Sequence, residues 1–142
     1  MIDKNNRNIK LSDSFSLKPF SILEAVENQH LSKQQEIRDM GNGWVWLDVK
    51  NVKVRGNCFI FSLCFLNKEL VELSFIIQDN PFELNPSWNS WNKQAEQNKL
   101  KHHQKWLKKE LGNERDFHWG KTWVNYDSKG GFSSIGIRYS KN

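Results

Sequence analysis

Apolar and polar positions change period several times along the chain, and each change marks an element. Ile9–Leu17 alternates weakly, as a first strand would. Ser21-Ile22-Leu23-Glu24 fits a capping box, in which the serine accepts a backbone N–H and the glutamate reaches back. That predicts a short helix burying Ile22, Leu23 and Val26. Ser32–Gln35 is polar, and Glu36–Met40 reads as a strand ahead of the Gly41-Asn42-Gly43 turn. Trp44–Val54, rich in Trp and Val, is a strand closed by a turn at Arg55-Gly56-Asn57. Cys58–Leu66 is apolar nearly throughout, the pattern of a central strand covered on both sides. Asn67-Lys68 makes a tight connection, and Leu70–Gln78 runs back.

Pro81 and Pro86 exclude a regular strand over Asp79–Ser87. Asn85 can cap a helix with Pro86 at its first position, and the helix then runs to Leu111 and closes at Gly112. Placed at ~100° per residue, Trp88, Trp91, Ala95, His102 and Trp106 share one side, with Leu100, Leu107 and Leu111 adjoining. His103 falls on the buried or boundary side. Lys101, Lys105 and Lys108 cluster on the opposite face, in water. Phe117–Tyr126 and Phe132–Tyr139 form a hairpin around Asp127-Ser128-Lys129-Gly130-Gly131. The order predicts one α+β domain over 1–142, with a mostly antiparallel sheet of about six strands. The long helix packs across one face, and a short helix precedes the sheet.

Composition narrows the class. With 37% hydrophobic residues, nine Phe and seven Trp in 142 positions, the chain can form a core and is not a disordered one. No apolar run approaches the ~20 residues of a membrane-spanning helix. The polar start MIDKNNRNIK has no apolar segment of a signal peptide, so a cytoplasmic location is expected. Cys58 and Cys64 lie on one face of one strand, roughly 20 Å apart, too far to pair. They read as small buried hydrophobes, and reduced thiols fit that location. A net charge of +5 favours an acidic partner surface.

Each candidate for chemistry also has a structural reading. His102 and His103 are neighbours on a helix, which does not set two ligands on one metal, and no zinc spacing occurs, so neither a metal nor a cofactor is expected. His103 is read as hydrogen-bonding to the sheet or hairpin. A site where His103 or His118 meets Asp127 is the enzymatic alternative, against Asp127 as a turn residue. Lys129-Gly130-Gly131 is followed by a strand rather than a helix, and reads as a turn rather than a phosphate loop. The basic stripe of Lys101, Lys105 and Lys108, with Lys109 beyond, carries no interleaved aromatics. It reads as a solvated face, with nucleic-acid binding as the alternative. The tryptophans are expected to form a single aromatic layer between helix and sheet, with Trp44, Trp46 or Trp123 as candidates for exposure and partner contact.

Several of these residues carry a resemblance. Trp88–Trp91, His103-x-x-Trp106-Leu107 and Leu111-Gly112, then Trp119-Gly120, Tyr126-Asp127, Lys129-Gly130-Gly131 and Ser133-Ser134-Ile135, resemble an uncharacterised family of small bacterial α+β proteins. The resemblance implies the fold order and supplies no activity. In size and architecture such proteins are similar to immunity proteins that neutralise toxins, an analogy of fold. With no catalytic set in view, the expectation is a non-enzymatic, immunity-like or accessory factor. It would bind a protein of acidic or mixed surface by occlusion and would not engage a membrane.

Overall fold

The computed structural model describes residues 1–3, 5, 8–78, 93–127 and 132–140, and the side chains of 93–96, 127 and 132 lie outside that description. Its elements are β1 (Ile9–Lys10), β2 (Ser16–Leu17), α1 (Leu23–Glu27), β3 (Gln34–Gly41), β4 (Trp44–Val54), β5 (Asn57–Leu66), β6 (Glu69–Gln78), α2 (Lys93–Leu111), β7 (Asp116–Phe117), β8 (Gly120–Asp127) and β9 (Phe132–Tyr139). Seven strands form one antiparallel sheet in the order β3-β4-β5-β6-β9-β8-β7, and β1 and β2 make a separate ribbon. The fold is therefore α+β, with the two-residue β7 added to the expected six strands. The expected helix start at Asn85-Pro86 and the turn residues 128–131 lie outside the described residues.

The meander β3–β6 follows from its turns. Arg55-Gly56 and Asn67-Lys68 both place two successive residues at positive φ, the twist-matched geometry of a two-residue hairpin. Inward positions then alternate: Leu47 and Val49 on β4, Phe59, Phe61 and Leu63 on β5, Leu73, Phe75 and Ile77 on β6, Ile135 and Ile137 on β9, all essentially buried. α2 packs over β9, β8 and β6, contributing Leu107 and Leu111 to this layer. The ribbon and α1 add Ile9, Leu17 and Val26 to the same cluster. The Ile2 N–H donates to Glu110 Oε1 (2.9 Å), tying the first residues to α2. Gly112 ends the helix at φ 72°, its N–H donating to the Lys108 carbonyl (2.7 Å).

Four sequence expectations change. Ile9–Leu17 is not one strand but two short ones paired Ile9↔Leu17, because Ser12 and Ser14 close a turn between them. Ser21 caps no helix: its Oγ donates to the Lys18 carbonyl (2.8 Å), the helix has only five residues, and Ile22 is 49% exposed. His102 is exposed, because the inward stripe of α2 runs through His103, Trp106, Leu107 and Leu111 instead. Finally, the tryptophans among the described residues form no common layer, and Trp88 and Trp91 lie outside that description. The aromatic layer under α2 is Phe59, Phe61 and Phe75, with Trp106 edge-on to Phe75 at 5.5 Å. Trp119 is buried elsewhere, stacked on Phe117 at 4.7 Å and near Tyr139.

Candidate partner-binding surface

The register defines what the sheet shows on the face away from α2. One row runs Arg38, Trp46, Cys64, Glu72, Arg138 and Lys121 across successive strands. The next row runs Glu36, Asp48, Ser62, Ser74, Gly136 and Trp123. Charges on this face are partly paired. Arg38 binds Asp48 with two hydrogen bonds (2.5 and 3.1 Å), and Arg138 Nε donates to Glu72 Oε1 (2.8 Å). The Arg38 guanidinium also stands 5.8 Å from the Trp46 ring centroid, a cation–π arrangement. Its acidity is lowered further by the hydrogen bond to Asp48 and then by that carboxylate's charge.

Trp123 lies across Gly136, where an added Cβ would collide with the indole. Glycine is thus what lets a half-buried tryptophan lie flat on the sheet. Beside it opens a hollow of about 260 Å³ lined by Ser62, Ser74, Ser133, Ser134 and Asn125, with Ile60 and Ile76 supplying apolar wall.

The hollow sits at a seam in the sheet. Pairing between β6 and β9 covers Glu72↔Arg138 to Phe75↔Ile135. At the following inward position, the Ile77 N–H donates to His103 Nε2 (3.1 Å), and His103 Nδ1 lies 2.8 Å from Ser133 Oγ. With Nε2 accepting, the proton of the neutral ring is on Nδ1 and is donated to Ser133. Burial, followed by the nearby His102, lowers the His103 pKa to about 4. The imidazole bridges the Ile77 backbone N–H on β6 and the Ser133 hydroxyl on β9, with both nitrogens engaged.

The other sequence candidates fall in separate places. Trp44, at the start of β4, is 42% exposed, while Trp46 and Trp123 are half-buried. His118 is exposed in the connection from β7 to β8. That is the Tyr139 end of β9, about 20 Å along the strand from Ser133, so the two histidines do not meet. Asp127 closes β8 opposite Phe132, and its side chain lies outside the described residues. Lys101, Lys105 and Lys108 are exposed on α2, as is Lys109. Among the described residues no group of three or more His, Cys, Asp or Glu could hold a metal ion, and no helix is long and apolar enough to cross a membrane. Sequence reasoning missed the two arginine–carboxylate pairs and the serine-lined hollow. Alternation and turn-joined neighbours were visible, but the pairing of β6 with β9, which sets Arg138 against Glu72 and opens the hollow, was not.

No family model matches the chain, and no curated protein matches it. In fold it is similar to a chain of the solved structure of Rhs1-CT in complex with cognate immunity protein RhsI1, with a TM-score of 0.54 and 10% identity. The similarity covers 97% of this chain and 85% of that one.

Proposed function

We propose that this chain is a protein-binding factor of the immunity type, acting in the bacterial cytoplasm by covering the working surface of a cognate toxin. The observation that carries this reading is the similarity of nearly the whole fold to one half of a protein pair that includes an immunity protein. The open sheet face adds to it. Trp46 with Arg38 over it, and Trp123 beside an uncharged hollow, are the residue types that anchor protein interfaces, and the paired charges around them form a polar rim.

The test is capture with this protein as bait from its native lysate, with and without nuclease, followed by co-expression with the captured protein. A stoichiometric protein that survives nuclease, and whose toxicity this chain relieves, is the expected result. Capture lost on nuclease treatment would replace the reading with nucleic-acid binding through Lys101, Lys105 and Lys108. That binding would weaken steeply with salt.

A further inference from the structure

The two edges of the seven-stranded sheet differ. β7 offers two residues, whereas β3 offers eight, from Gln34 to Gly41. Among the described residues no strand pairs with the outer side of β3. From Glu36 to Gly41 every residue is exposed, including Ile37 at 42% and Met40 at 61%. An edge of this length presents backbone donors and acceptors to any strand that can lie along it.

We propose that β3 pairs antiparallel with β3 of a second copy of this chain, centred on Ile37, joining two sheets into one. The sequence Gln34-Gln35-Glu36-Ile37-Arg38-Asp39-Met40 selects both partner and register. Centred on Ile37, each Glu36 lies opposite the second copy's Arg38. Moving the centre to Glu36 or Arg38 sets like charges against themselves, and centring between Ile37 and Arg38 sets Glu36 against Asp39. The charges around β3 also favour an incoming cation. Glu36 lies beside Asp48 in the register, and Arg38 is already bound to Asp48. In the dimer each guanidinium stands between its own Asp48 and the second copy's Glu36. The two-fold axis is perpendicular to the sheet, so both Trp46 side chains emerge on one continuous face. This assembly does not rest on the immunity reading.

Sedimentation velocity on the full chain across micromolar concentrations tests it, with far-UV circular dichroism confirming the fold of each variant. The wild type is expected to dimerise. Glu36→Arg and Arg38→Glu should each weaken dimerisation roughly tenfold or more, since two cross-strand pairs become repulsive. Mixing the two variants should restore a one-to-one dimer, because both cross-strand pairs then join an arginine of one variant to a glutamate of the other. A wild type that stays monomeric, a Glu36→Arg protein that dimerises normally, or folded variants whose mixture fails to pair would each overturn it. A monomer that loses a captured protein on Glu36→Arg substitution would assign the edge to that protein instead.

Discussion

The two faces of the sheet are written in different chemistry. Toward α2, rows of Phe, Leu and Ile are interrupted by few polar side chains: Thr122 and Ser133 from the strands, and His103 from the helix, whose two ring nitrogens are both hydrogen-bonded. Away from α2, the same strands carry Arg, Glu, Asp, Ser and two half-buried Trp. The first face depends on close packing, where each lost methylene is felt. The second face packs less closely, and its ion pairs, open to solvent, contribute little to stability. Substitutions should therefore separate into those that unfold and those that only unbind.

Phe75→Ala should show the largest effect, about 3–5 kcal/mol by urea denaturation, because the ring is buried between Phe59, Phe61 and Trp106. A loss below 1 kcal/mol would mean the covered face is not the stabilising one. Next comes pH. His103 is neutral in the fold with its pKa lowered to about 4, while the unfolded chain takes the proton near 6.5. The stability it supports is fully present above 6.5 and is lost as pH falls toward 4, by about 3 kcal/mol. His103→Gln should remove that slope, and an unchanged slope would place its origin elsewhere. Gly136→Ala should cost about 1–3 kcal/mol by lifting Trp123 from the sheet, read as an altered near-UV spectrum. The smallest effect on unfolding is expected from Trp46→Ala and Arg38→Ala, which should leave the midpoint nearly unchanged yet weaken partner capture. If they unfold the protein and leave capture intact, the division between the faces fails.

This division was half legible in the sequence. Alternation in Trp44–Val54 and Leu70–Gln78 is local, so it announced strands and their inward positions without the fold. His103 was also legible as a bond to the sheet, since it falls near the Leu107–Leu111 side of the helix. Cys58–Leu66 was expected to be covered on both sides. In the structure its outward positions Ile60 and Ser62 are only half-buried and line the hollow. A strand in mid-sheet is shielded by its neighbours' side chains as well as by a second layer. The capping box at Ser21 failed because its hydroxyl oxygen accepts the Lys18 N–H (2.9 Å) instead of a helix N–H. Arg138 and Glu72, 66 positions apart, gave no local signal at all.

The narrow seam between β6 and β9 also sets an expectation for the order of folding. Strands β3 to β6 pair with their chain neighbours, as β8 does with β9, so both groups can form by closing short loops. Uniting them requires residues 72–75 to meet 135–138 across the chain that contains α2. Non-local closure of this kind is slow. From contact order alone, joining the β3–β6 meander to the β8–β9 hairpin is expected to come late in folding, where His103 on the intervening helix bonds to both β6 and β9.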